Sequence, residues 1–402
     1  EMCIRDRLTI ALGGMTVAII VGYASLREMS LALIVWLLIM SGFRWVGMIF
    51  MPGLPDLSLD RILLVWIIVI FILRTVVQGK RLPGPYAADA ILLVNTVYVL
   101  IQMQTIGSAD HFHHWVLSML TPFFGFLYGK YTVNRDPELR NLMLFFLLLS
   151  VYYAITSIAE HFKLNALIWP KTILDTDKGL YHVGRSRGPV LHPPMFGQLI
   201  AMLILVWFFF LARVRAAGPR LALGLGLGVL GLGFLFTYTR GPWVAAIAGL
   251  MFMGVLSANL RRVIVLVTVV AVLAGLLGAM QAADTEFLQE RLSNTNTIEN
   301  RLGFLANTLA MVRDHPVFGI GYFRWLDVLG EYNRTHFIPF YGMVRKNMAA
   351  HVPIHDIYLG RLAEEGIVGS ILQWSFYFVI FRAFLAKWRR GVWSRWFDRD
   401  MM

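Results

Sequence analysis

Three observations predict an all-α fold, a polytopic membrane helix bundle. Of 402 residues, 58% are hydrophobic and only 15% are charged, where a soluble domain is about a quarter charged. Apolar runs long enough to cross about 30 Å of hydrocarbon recur along the whole chain. The runs also lack the alternation of an outer-membrane strand, and hydrocarbon offers an unpaired backbone no partner, so helices are the remaining choice.

In order, the runs are 8–26, 31–50, 62–77, 88–106, 115–131, 142–162, 196–211, 221–238, 243–258, 263–280 and 367–385. That is about eleven helices in one transmembrane domain spanning 1–402. Basic clusters follow alternate runs: Lys80 and Arg81; Lys130, Arg135 and Arg140; Arg213, Arg215 and Arg220; Arg261 and Arg262; and Lys387, Arg389, Arg390 and Arg395. Short connections rich in Lys and Arg face the cytoplasm, so every odd-numbered run ends inside. The first residue then lies outside. This predicts a missing first helix, twelve in the intact protein, and the absence of Met at position 1 points to a fragment or to foreign residues at the start.

The same parity puts two long polar connections outside: 163–195, and a large periplasmic loop at 282–366 ahead of the last helix. Loops of that length are usually functional or disordered, and their aromatic content favours order. Leu302, Leu305, Leu309 and Val312 follow helical spacing and predict an amphipathic helix near 299–313, stopping before His315-Pro316. A second loop helix is expected from about His355 to Gly366. Both should lie along the membrane surface.

The net charge of +12 would suit nucleic acid, but cytoplasmic loops of a membrane protein explain it, and no nucleic-acid partner is expected. A single cysteine, Cys3, excludes an intrachain disulfide and a cysteine-rich zinc cluster. Gly224, Gly226, Gly228, Gly231 and Gly233 imitate a nucleotide loop, yet they lie inside an apolar run. Close helix packing through small residues at spacing four is the expected reason for them.

Ionisable groups at or beside membrane depth are candidates for function. Arg240, in Thr237-Tyr238-Thr239-Arg240-Gly241-Pro242-Trp243, occupies a short turn on the outer face, where lone arginines are disfavoured. Snorkelling from a helix end is the bland alternative. Arg185 and Arg187, in Gly184-Arg185-Ser186-Arg187-Gly188-Pro189, precede a membrane helix and read as a shaped anion-binding entry or as a solvated loop. Arg301 heads the expected loop helix, where the dipole prefers an acid, so an anionic partner explains it better. His355 shares a helical face with Tyr358, Leu359 and Leu362. A histidine titrates near neutrality and could take the proton of an acceptor hydroxyl, with His351 as a competitor for that role.

Several of these segments, in this order, resemble the O-antigen ligase and polymerase superfamily of membrane glycosyltransferases. They are Arg187-Gly188, Thr239-Arg240-Gly241, Glu299-Asn300-Arg301-Leu302, Asp314-His315-Pro316-Val317-Phe318-Gly319-Ile320-Gly321, and His355-Asp356-x-Tyr358 with Glu365-Gly366-x-x-Gly369. The resemblance covers roughly 185–375. It implies metal-independent transfer, without a cofactor, from an undecaprenyl-diphosphate-linked glycan donor to a hydroxyl of lipid A core or another saccharide acceptor. The site would face the periplasm from the bacterial inner membrane. Arg187, Arg240 and Arg301 would clamp the diphosphate, and His355 would activate the acceptor hydroxyl or assist the leaving group; Arg185 and Tyr358 are further candidate substrate-binding residues. Arginine suits phosphate oxygens because its fork donates in pairs. Asp356 and Pro193-Pro194 depart from the commoner residues of that pattern and point to a divergent branch. A polymerase or a protein O-oligosaccharyltransferase of the same superfamily fits equally, and a transporter of lipid-linked saccharide is the alternative of another class. Paired broken helices in repeated halves would mark the transporter, whereas one asymmetric outer loop stands here.

Overall fold

A computed structural model describes residues 27–43, 58–77, 86–103, 109–175, 184–214, 216–256, 296–333, 336–338, 342–344 and 357–389, with a few isolated positions besides. Helices dominate. They are α1 (Met29–Leu38), continued by a π-helical turn at Ile39–Phe43, then α2 (Leu59–Val77), α3 (Ala87–Gln102) and α4 (Ala109–Trp115). A π-helical turn, Val116–Leu120, joins α4 to α5 (Thr121–Thr132). Then come α6 (Asp136–His161), α7 (Pro193–Arg213), α8 (Ala217–Leu235), α9 (Arg240–Leu256), α10 (Asn296–Asp314), α11 (Trp325–Tyr332) and α12 (Ile357–Arg389). The expected runs 8–26 and 263–280 fall almost wholly outside the described residues.

By length and composition, four helices among the described residues are apolar enough to cross a membrane: Asp136–His161, Pro193–Leu211, Ala217–Leu235 and Tyr358–Lys387. Shorter apolar helices stand at Met29–Phe43, Ala87–Gln102 and Arg240–Val255. Val76, Val77, Ile101, Leu148 and Val255 are exposed on their outer faces. Helices apolar on the outside as well as the inside are what a hydrocarbon solvent selects. The chain is a helical membrane bundle.

Its largest core joins α6, α7, α8 and α9 around Tyr153, Phe196, Phe208 and Leu230. Polar groups cross between these helices where a membrane leaves them no water. The Trp207 indole donates to Ser150 Oγ at 2.6 Å, and Ser157 Oγ donates to the Gly233 carbonyl at 2.6 Å. The glycine stripe is used at spacing seven rather than four. A Cβ on Gly226 would collide with the Trp207 ring, and one on Gly233 would meet Ala154 Cα at 3.1 Å, but Gly224, Gly228 and Gly231 face open space. A second core joins α1, α2 and α5. The start of α3 and the end of α5 lie together, with Lys130 paired to Asp89 and held 4.0 Å over the Tyr86 ring.

The large loop is mostly helical where described, as expected, but it also carries an antiparallel hairpin that periodicity did not reveal. Its strands, β1 (His336–Ile338) and β2 (Gly342–Val344), pair with Phe337 opposite Met343. Three-residue strands are too short to show an alternating pattern. Helix α10 begins three residues before the expected start near 299, at Asn296, which puts Arg301 in its second turn. Dipole effects fade beyond the first turn, so the dipole argument for Arg301 loses its force. The expected second loop helix and the last membrane run are one element, α12, broken at Gly366 (φ 69°, ψ −170°).

Candidate functional site

Two groups of charged residues form at loop-bearing ends of the bundle. The first is built where α6, α8 and the first long loop meet. Ser186 N donates to the Phe236 carbonyl at 3.0 Å, and Ser186 Oγ donates to the Ser157 carbonyl at 2.8 Å. These bonds lay the Gly184–Gly188 loop across the turn that leads into α9. Arg185 Nη2 then donates to the Tyr238 carbonyl at 2.9 Å, two residues before Arg240. Two of the arginine segments singled out in the sequence are therefore neighbours in space.

Arg187 is held more deeply. Its Nη2 donates to the carbonyls of Ile173 at 2.7 Å and Asp175 at 3.2 Å, and its Nε lies 4.0 Å from Glu160 Oε1. Glu160 Oε2 accepts from the backbone N–H groups of Arg187 at 3.0 Å and Gly188 at 2.7 Å. Gly188 has φ 55°, and a Cβ there would collide with the Phe196 ring, so only glycine fits this approach to α7. Glu160 went unnoticed in the sequence. The signal available was an acid closing an otherwise apolar run.

Arg240 is exposed at the first position of α9. Its turn is fixed from behind, since Thr237 and Thr239 share a hydroxyl hydrogen bond of 2.8 Å and a Cβ on Gly197 would meet Thr239 Oγ1 at 2.6 Å. In front, a Cβ on Gly241 would meet nothing within 4 Å. A cation at a helix N-terminus opposes the dipole, while the free N–H groups of the first turn favour an anion. An anion held by both would resolve that conflict.

The second group gathers the glycine-rich segment and the break in α12. Gly366 interrupts the helical ladder, and the stranded backbone groups find partners in residues 316–321. Ile367 N donates to the Pro316 carbonyl at 3.0 Å and Val368 N to that of Val317 at 3.2 Å, while Ile320 N and Gly321 N donate to the carbonyls of Ala363 at 2.9 Å and Glu364 at 3.0 Å. Gly319 (φ 72°) and Gly366 (φ 69°) each lie so close to the other's backbone segment that neither admits a side chain. The motifs His315-Pro316-x-x-Gly319-x-Gly321 and Glu365-Gly366-x-x-Gly369 are thus two halves of one joint.

Beneath the joint lies a polar node that the sequence reading passed over. Arg361 pairs with Glu365 and sits 4.8 Å over the Tyr322 ring, and Tyr98 Oη donates to the Glu365 carbonyl at 2.7 Å. Burial pushes the Tyr322 phenol up despite the opposing Arg361 charge, so it stays neutral. Two histidines of α4 flank the same region, His114 stacking on Phe323 at 3.6 Å and His111 lying 3.6 Å from Asp327, while His113 is 3.3 Å from Arg61 of α2.

Of the remaining expected residues, Tyr358 is exposed and stacks on Trp374 with ring centroids 5.3 Å apart. His355, His351 and Asp356 and the side chain of Arg301 lie outside the described residues.

Fold and site together define a helical membrane protein that presents fixed cations and a glycine-hinged loop helix beside its bundle. Residues 225–373 match the family model described as O-antigen ligase, which supports the O-antigen ligase superfamily. The match contains Arg240, Arg301, His355, Tyr358 and both halves of the joint. No curated protein and no solved structure shows significant similarity to the chain.

Proposed function

We propose that the protein is an O-antigen ligase-like glycosyltransferase of the bacterial inner membrane, acting at the periplasmic face. It moves a saccharide from an undecaprenyl-diphosphate-linked donor to an acceptor hydroxyl in surface polysaccharide or lipopolysaccharide assembly. The observation that carries this reading is the joint. The glycine motif and the Glu365-Gly366 break, both inside the family match, are joined by four backbone hydrogen bonds and by the close backbone approach at Gly319 and Gly366.

In this reading Arg240 is the principal diphosphate ligand, with Arg301 beside it. Arg185 and Arg187 already serve the carbonyls of Tyr238, Ile173 and Asp175. They shape the entry and add positive charge beside the phosphates. His355 takes the proton of the acceptor hydroxyl as its oxygen bonds to the anomeric carbon. The bond from that carbon to the diphosphate breaks, and the departing charge is met by fixed cations, which need no reorganisation at that moment. Tyr358 offers the acceptor sugar an aromatic face. The donor's own phosphoester supplies the driving force, and in this reading the arginines take the place of a metal at the departing diphosphate.

The test is reconstitution of the purified protein with undecaprenyl-diphosphate glycan and, in parallel, lipid A core, free glycan and a peptide acceptor, with and without a chelator. Transfer to lipid A core that survives chelation supports the reading. Extension of glycan alone would make the protein a polymerase, and movement of donor across vesicles without bond exchange would make it a transporter.

A further inference from the structure

A buried ion pair in a membrane helix needs a reason, because desolvating two charges costs more than an apolar pair of the same size. Glu365 is fully buried, and the Arg361 side chain is 14% exposed. The two are one turn apart on α12, so their pairing alone joins nothing.

Their surroundings come from elsewhere in the chain. Tyr322, from the glycine-rich loop, lies under the Arg361 guanidinium, and Tyr98 of α3 donates to the Glu365 carbonyl beside the Gly366 break. Gln102 Nε2 donates in turn to Tyr98 Oη at 2.8 Å. Gly369 leaves room for the arrangement, since a Cβ there would stand 2.8 Å from both Glu365 Oε2 and Tyr98 Cε1. Three elements therefore meet on one ion pair, directly N-terminal to the one non-helical residue of α12. On the far side of that pair the helix runs back to Tyr358, which stacks across the break on Trp374.

We propose that Arg361 and Glu365 are positioning residues: braced by Tyr98 and Tyr322, they fix the angle at which the Ile357–Glu365 segment leaves the break and so set where its Tyr358 end is presented. This rests on the functional reading above, which makes that end the acceptor side. Neither residue touches substrate. A misplacement of about 1 Å at a reacting group costs about a hundredfold in rate, so the angle matters more than the stability of the pair.

The test uses the full chain in nanodiscs and the double variant Arg361→Met/Glu365→Leu, with Glu365→Gln as the second arm in case the double variant does not fold. Three quantities are read: thermal midpoint, affinity for undecaprenyl diphosphate, and kcat with lipid A core. A fourth is the 19F signal of 5-fluorotryptophan-labelled protein that disappears in Trp374→Phe. The expected result is an unchanged or higher midpoint and unchanged diphosphate affinity, a kcat lower by about tenfold to a hundredfold, and a displaced Trp374 signal. An unmoved Trp374 signal with kcat near wild type in either arm overturns the proposal. If the wild-type protein transfers no glycan, the functional reading fails instead. The Trp374 signal then still decides whether the pair sets the angle.

Discussion

Gly366→Ala is the perturbation whose cost follows most directly from geometry. At φ 69° and ψ −170° the residue occupies a region open only to glycine, and a side chain there costs about 1–3 kcal/mol. The added Cβ would also stand 2.6 Å from Gly319 N and press on the Val317 carbonyl. Relieving that collision pulls apart the bonds from Ile367 N to Pro316 and from Val368 N to Val317. At about 1 kcal/mol each, these bring the total to about 3–5 kcal/mol. The internal control is Gly231→Ala in α8, where a Cβ meets nothing within 4 Å. Removing a helical glycine there is expected to be neutral or to stabilise by up to about 1 kcal/mol. Differential scanning fluorimetry in one detergent compares the two, with a drop of at least about 5 °C expected for Gly366→Ala alone. Equal midpoints for the two variants would refute the joint as described.

Four further outcomes are expected. Arg240→Lys keeps the charge but not the paired donors, so transfer should fall about tenfold or more with the protein fully folded, as read by initial rates and size-exclusion profile. Glu160→Ala removes the acceptor of two backbone N–H groups and the partner of Arg187, and should destabilise by about 3 kcal/mol or more, seen as early proteolysis within 163–195. In a Cys3→Ser background, a cysteine at Ser293 should react with an impermeant thiol reagent in spheroplasts while one at Ser257 should not; the reverse pattern inverts the topology. Arg187→Lys should release the 173–175 turn and weaken donor affinity less than Arg240→Lys does, measured by binding of undecaprenyl diphosphate.

What the sequence displayed and what it hid divide along physical lines. Membrane helices were legible because each announces itself within its own twenty residues, and α6, α7 and α8 lie where hydropathy put them. Arg185, Arg187 and Arg240 were legible as charges in the wrong place, and the bond from Arg185 to Tyr238 brings their segments together. The break at Gly366 was anticipated from the expected end of the loop helix. Its partner segment was not, because the bonds between 316–321 and 363–368 are long-range and leave only glycines as a trace. Glu160, Arg361 and Glu365 were hidden for a related reason. Glu160 finds its partner Arg187 in another segment, and Arg361 and Glu365, though one turn apart, are set off from ordinary helix-surface charges only by their burial under Tyr98 and Tyr322. The glycine stripe shows the opposite failure, since local spacing suggested a repeat of four and the neighbouring helices use only Gly226 and Gly233.

The central claim is catalytic, and His355→Ala tests it most directly. General-base work contributes about 10²–10⁴-fold. The purified variant, assayed from pH 6 to 8 with undecaprenyl-diphosphate glycan and lipid A core, should therefore lose transfer by about that factor. It should still bind donor and melt as wild type does, and His351→Ala should stay close to wild type. Transfer by His355→Ala at a rate near wild type across that pH range would contradict the account.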